Sequence, residues 1–478
     1  MSEKVKSGKL GLPALTAMVI GSMVGAGVFM LPARFSNATG VYGSLIAWLI
    51  AGAGMLMLAF VFQALAVRKP KLDAGVFSYA RAGFGDYVGF TSAIGFWASA
   101  CAGNVTYLVL IKSTLGSVFP IFGDGDTLPA ILVSSVIIWL FFLLIMHGVQ
   151  QATLINTIVT IAKIVPIIVF ILVAIFYFDV ETFQSNLSGN YSGYSLTLFE
   201  QVSKTMLITV FVFLGIEGAS VYSRYAKNRK IVGSATVLGF LSALCLFMLV
   251  AILPFGLLPQ ETIAAMRQPS MAGVFEAVLG SGGGVFISAG LIISVLGAYL
   301  AWTLMSAEVL FAAAKSDDTP PFLKKVNKKE VPQNALLMSA LLTQVILIIT
   351  YFSENALDLA LELTSALSLL PLFLTAAYAL KITLKKDGYL DVSGGTRKKE
   401  LVFALIATIY TLFLIWVAGV QYLPLCCLVL APATILFYRA RKTQNRTVFT
   451  KAEKIVFAAI CLGLIIAIIG LATGMIVI

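Results

Sequence analysis

The chain has 478 residues, of which 59% are hydrophobic and only 12% charged. That is too little polar surface to clothe a soluble domain, so the solvent of most of this chain is lipid. The formal charge of +11 suggests nucleic acid only until its placement is read, and the single histidine, His147, excludes a His-rich metal site.

A hydrocarbon core about 30 Å thick takes about 20 apolar residues in a helix. Runs of that kind fall at 12–33, 41–67, 87–118, 129–149, 152–178, 203–224, 233–257, 284–314, 334–352, 357–382, 401–419, 421–439 and 454–477. Lipid offers the backbone no hydrogen-bonding partner, so each run is expected to be helical. The fold class that follows is an all-α polytopic membrane protein with about 13 transmembrane helices. The first run has no small-residue cleavage pattern and is read as a span, not a signal peptide.

Basic residues mark one side. Lys4, Lys6 and Lys9 share it with "RKPK", "SRYAKNRK", "PPFLKKVNKKE", "KITLKKDGY", "TRKKE" and "RARKTQNR", and with Arg81, Lys315, Lys451 and Lys454. Only Arg34, Lys112, Lys163, Lys204 and Arg267 fall elsewhere. The positive-inside rule makes this side, and the N-terminus, cytoplasmic. The charge excess is therefore a topology signal, and nucleic acid is not an expected partner. The outside loop 179–202 is polar and carries two N-x-S sequons, at Asn186 and Asn190.

The first span contains "GSMVGAG", residues 21–27. Each glycine gives up about 1 kcal/mol of helix propensity relative to alanine, which makes the segment a breaker halfway through a membrane. The sixth span has a counterpart, "GIEGAS", residues 215–220, and Gly25-Ala26-Gly27-Val28-Phe29 resembles Gly218-Ala219-Ser220-Val221-Tyr222. The breaks lie five spans apart, so the second copy runs the opposite way through the bilayer. Paired interruptions in inverted halves point to a transporter's binding site. Glycine spacing that merely packs helices is the plainer alternative for either break alone. Unwinding frees N–H groups at the start of the outer half-helix and carbonyls at the end of the inner half. The first suit a carboxylate and the second an ammonium, the two groups of an α-amino acid.

These motifs resemble the amino acid–polyamine–organocation superfamily and its basic amino acid/polyamine antiporter branch. "GSMVGAGVFMLP" is similar to the family's first-span motif and "FLGIEGASV" to its sixth. "VFSYARAGFGDYVGF" and "AWTLMSAEVLFAAAKSDDTPPFLKKVNK" resemble the approach to the third span and the eighth span with its loop. Within the branch the chain most resembles bacterial arginine/ornithine antiporters, and one span, 454–477, exceeds the usual twelve. The resemblance implies a five-plus-five inverted-repeat core over residues 1–382, with repeats of about 1–178 and 203–382 and accessory spans in 383–478. It implies exchange of arginine for ornithine by alternating access across the cytoplasmic membrane. Exchange of histidine, lysine or arginine for its decarboxylated amine, and proton-coupled symport, are the alternatives.

Carried onto this chain, the substrate-binding residues are Met23, Gly25, Ala26, Gly27, Ser99, Ala100, Asn104, Tyr107, Phe211, Leu214, Trp302 and Thr364. Trp302 stands where the arginine/agmatine exchanger stacks an aromatic on its substrate's side chain, with an ordinary packing role as the alternative. Asn104 matches a polar side-chain contact. Phe211 and Glu217 take gating positions; a carboxylate at membrane depth is functional by default, or else braces the break. Lys163 resembles a built-in replacement for a sodium ion between the first and eighth spans, as fixed charge or proton carrier. Glu308 is expected to pair with a basic loop residue, while Glu362 has no assigned place. "GSGGG", residues 280–284, lacks the Lys-Ser/Thr of a phosphate loop and reads as a flexible approach to the eighth span. The five cysteines lie in apolar runs as packing residues. No metal or cofactor is called for, and no nucleophile–base pair suggests an enzyme. The expected partners are small amino acid substrates and the lipid bilayer, with a homodimer left open.

Overall fold

The structure, a computed structural model, describes residues 11–70, 72, 76–148, 153–189, 196–216, 229–389 and 393–476. Each of the thirteen apolar runs carries helix among the described residues. Among the described residues, ten helices are long and apolar enough to cross a membrane, and a bent pair at the first run makes an eleventh. The other two runs carry Thr153–Phe176 and Leu198–Phe213.

In chain order, α1 (Leu12–Met23) and α2 (Leu31–Ala38) form the broken first span. α3 (Val41–Arg68) is followed by the short α4 (Val76–Phe84), the long α5 (Asp86–Gly116), α6 (Leu128–Met146) and α7 (Thr153–Phe176). The loop after α7 holds α8 (Val180–Ser185), and α9 (Leu198–Phe213) opens the sixth span. Next come α10 (Arg229–Ile252), the short α11 (Gln260–Ala264) and α12 (Ser270–Leu279), then α13 (Ser281–Lys315), α14 (Gln333–Thr350) and α15 (Ala356–Lys385). α16 (Gly394–Gly419) and α17 (Gln421–Thr443) meet at a kink where Gly419 takes φ 57°. α18 (Lys451–Thr473) is last.

α5 is the centre of the bundle: its most apolar stretch is wholly buried, against 17% for α18 at the periphery. α13, α14, α15 and α17 all pack on α5, while α1 packs on α10 and α3 on α9, α10 and α16. Small residues let the axes approach. A Cβ on Gly95 would lie 3.1 Å from the Leu367 carbonyl of α15, and one on Gly103 would lie 3.3 Å from Thr364.

Two local expectations are corrected. "GSGGG" is not a flexible approach: only Gly280 turns, at φ 78°, and α13 begins at Ser281. A glycine at positive φ between two helices needs no further flexible residues. Glu308 is exposed and makes no ion pair among the described residues. In the loop after α7, Asn186 is buried, donating to the carbonyls of Phe255 and Leu258 and accepting from the Gln260 amide. That sequon is structural, whereas Asn190 lies outside the described residues.

The basic face of the bundle is tied to α5. Thr450 and Glu453 form a capping box at the start of α18, and Glu453 Oε1 also accepts from the Tyr87 amide at 2.8 Å. One carboxylate thus caps two helices. The Tyr87 ring packs on Phe437 and Phe449 at 5.1 Å each and on Phe457 at 6.3 Å. Glu453→Ala should lower stability by about 1–2 kcal/mol, the usual value of an N-cap. Thermal unfolding of the purified variant in detergent checks this, and an unchanged midpoint would count against the tie.

Asp318, in the loop after α13, is buried 3.3 Å from Arg81, which also binds Asp86 and the Ser316 carbonyl. Burial pushes its carboxyl up to about 7, against the pull of Arg81 and Arg441, with Asp86 and Asp317 adding to the rise. An unfolded aspartate titrates near about 4. A raised folded value means the contribution of the proton to stability is complete below about pH 4 and lost as pH rises through about 7. The melting temperature of Asp318→Asn, neutral at every pH, should therefore gain on the parent's between pH 5 and pH 8. Parallel profiles would refute it.

Candidate functional site

The break in the first span is built by its own sequence. The Val24 amide makes the last α-helical bond, to the Ile20 carbonyl at 2.9 Å, and Val24 then takes extended ψ 98°. The chain resumes as a tight turn of helix over Gly27–Met30, with a 47° bend between the two halves. Between them, the amides of Gly25 and Ala26 donate to no backbone carbonyl among the described residues. A buried N–H without a partner is a site in waiting.

Glycine is required here by contact. A Cβ on Gly27 would sit 2.5 Å from Val212 Cγ1 and 2.9 Å from the Phe211 ring of α9. On the facing span Gly215 takes φ 107°, and a Cβ there would overlap the Ser22 carbonyl of α1. Glu217, Gly218, Ala219 and Ser220 lie outside the described residues.

A cavity opens at the break. Its walls are Met23, Gly25, Ala26 and Gly27 of the first span, Ser99, Ala100 and Tyr107 of α5, Phe211 and Leu214 of the sixth span, Trp302 of α13 and Thr364 of α15. Every residue expected to bind substrate is therefore in it except Asn104. Ser22, Gly103 and Val212 also line it and were not singled out. Gly103 was findable: Ser99, Gly103 and Tyr107 are spaced i, i+4, i+8 on one helix face.

The polar atoms divide by what they can still do. Ser99 Oγ donates to the Thr364 carbonyl at 2.7 Å, and Thr364 Oγ1 donates to the Ala360 carbonyl at 2.6 Å. Both hydroxyl protons are engaged, which leaves these oxygens as acceptors. Tyr107 Oη lies 3.3 Å from the position a Gly25 Cβ would take. Phe211 faces the Tyr107 ring at 6.5 Å and Phe96 faces Trp302 at 6.4 Å. The volume is about 20 Å³, the room of about one water. The walls are closed on one another, so admitting an amino acid requires the helices to part.

Asn104 is buried behind the wall, its Nδ2 donating to Thr303 Oγ1 at 3.0 Å. Lys163 is buried on α7 and its Nζ donates to the Gly21 carbonyl at 3.0 Å. This amine thus sits at the carbonyl end of α1, where the helix dipole is negative. Glu362 is half-buried on α15 beside the Tyr422 hydroxyl, near Asp358, which pairs with Arg34 of α2.

The amino acid permease family matches residues 10–438. The chain is similar to the arginine/ornithine antiporter of Pseudomonas aeruginosa, 46% identical over 98% of both chains. It is 39% identical to the arginine/ornithine antiporter of Latilactobacillus sakei over the full length of both. To the L-lysine transport protein of Corynebacterium glutamicum it is 38% identical, over 97% of this chain and 95% of that one. A broken first span, closed at its gap by the sixth, and a match across nearly the whole length make one case: the chain belongs to the amino acid permease family.

Proposed function

We propose that this protein is a secondary antiporter that exchanges arginine for ornithine across the cytoplasmic membrane, with its N-terminus inside. The observation that carries the reading is the cavity itself, which the Gly25 and Ala26 backbone at the break shares with acceptor oxygens and an indole. The amides of Gly25 and Ala26 suit the substrate carboxylate, and the carbonyls around Phe211 and Leu214 its α-amino group. Trp302 stacks on the cationic side chain, a contact worth about 0.5–2 kcal/mol depending on desolvation. Two inverted repeats, about 1–178 and 203–382, rock about this site, with residues 383–478 as accessory spans. Phe211 closes over the substrate and Glu217 couples protonation to closure. Lys163 acts as a fixed charge that holds the inner half of the first span. The names of the relatives support arginine and ornithine as the pair, and no catalytic step is needed.

Counterflow into proteoliposomes tests the reading. Labelled arginine should enter vesicles loaded with ornithine and not empty ones. Faster uptake into vesicles loaded with agmatine, histamine or cadaverine would replace ornithine by a decarboxylated amine, and uptake without any internal substrate would replace exchange by symport. At Trp302, replacement by alanine should weaken arginine binding by about 1–2 kcal/mol while leaving the protein folded. Calorimetry that finds the affinity unchanged would remove Trp302 from the site.

A further inference from the structure

Behind the cavity wall, one hydrogen bond has its direction fixed by a second. Gly103 and Trp302 line the cavity, and their immediate successors, Asn104 on α5 and Thr303 on α13, face each other across the helix interface. Thr303 Oγ1 donates its proton to the Tyr299 carbonyl one turn back, at 2.7 Å. A hydroxyl has one proton to give, so toward Asn104 it can only accept. Asn104 must therefore present its NH₂ to Thr303, as it does at 3.0 Å, and its carbonyl must point elsewhere. That carbonyl, Asn104 Oδ1, is fully buried and has no hydrogen-bond partner among the described residues. Buried acceptors are rarely left so, and an orphan next to a binding cavity calls for a donor.

We infer that Thr303 is a positioning residue for specificity: it locks the Asn104 amide so that a lone carbonyl acceptor is held ready for the substrate's side chain. The inference rests on the exchange reading above and deepens it. A guanidinium or ammonium has only donors and satisfies the orphan on arrival. An apolar side chain leaves it orphaned, and a carboxylate sets acceptor against acceptor. Trp302 reads positive charge and the Thr303–Asn104 pair reads donors, so the two filters are separate.

The test compares arginine with citrulline, which has the same length but carries a urea oxygen in place of one donor nitrogen. Affinities of the purified full chain for both, measured by calorimetry, are set beside counterflow in proteoliposomes. Thr303→Val keeps the shape and removes the acceptor, freeing the Asn104 amide to turn its NH₂ toward the cavity. The arginine-to-citrulline affinity ratio should fall at least about tenfold, the scale of a charge-assisted hydrogen bond. Thr303→Ser, which keeps the hydroxyl, should restore the ratio. A folded Thr303→Val protein with the parent's ratio overturns the inference, as does a parent protein with no preference for arginine. A fall that Thr303→Ser shares in full also overturns it, because the methyl group would then be responsible. Preference for arginine without ornithine counterflow would overturn the exchange reading and leave the filter standing.

Discussion

Replacing Gly27 with leucine should abolish transport while the protein still inserts and folds. The reason is local and steric. Even a Cβ at Gly27 meets Val212 at 2.5 Å and Phe211 at 2.9 Å, both on α9 across the break. A larger side chain would also fill the space beside the Gly25 and Ala26 amides, the proposed carboxylate site. The glycines of the motif should not be equivalent. A Cβ on Gly25 meets only Tyr107 Oη, at 3.3 Å, and one on Gly21 meets nothing within 4 Å. Alanine should therefore be tolerated at Gly21, with up to about 1 kcal/mol gained in helix propensity. At Gly25 it should impair transport in part, with recovery when Tyr107→Phe removes the opposing hydroxyl. Initial uptake rates divided by the amount of protein in the membrane rank the three positions. Equal rates for alanine at Gly21 and Gly27 would make the motif a packing feature.

Exchange should be one-for-one, independent of sodium and nearly insensitive to membrane potential. The Lys163 ammonium already binds the Gly21 carbonyl at the end of the inner half-helix. On the proposed reading this side chain stands in for an external cation. Arginine and ornithine each carry a net charge of about +1 near neutral pH, so swapping them moves no net charge. Histidine for histamine would export about one charge per cycle and respond to voltage by about 2.3 kcal/mol per 100 mV. Lys163→Gln should slow exchange about tenfold to a hundredfold, the value of one charged hydrogen bond at a mobile element. Arginine uptake into ornithine-loaded vesicles, with choline in place of sodium and with potentials set by valinomycin, decides the matter. Strong dependence on sodium or on voltage would point to a coupled transporter.

The helices and the break were legible in the sequence because both are local properties. Apolar length in lipid leaves the backbone no other structure, and three glycines in seven residues weaken a helix wherever it lies. The motifs extended that legibility to the site, and all the expected binding residues but Asn104 came together at one cavity. Which atoms in that cavity are still free to bind was decided only by the tertiary structure. Ser99 gives its proton to a carbonyl 265 positions away, and Asn104 turns toward Thr303, 199 positions away. Helices buried in lipid and protein are apolar nearly all round, so they lack the polar stripe that tells which face meets which neighbour. Their rotation is set instead by small contacts such as Gly103 on Thr364 and Gly95 on Leu367. The same holds for Glu308 and Glu362: both are carboxylates within apolar runs, yet packing leaves the first exposed and sets the second beside Tyr422. Composition placed these residues in the membrane, and the fit of one helix against another chose their partners.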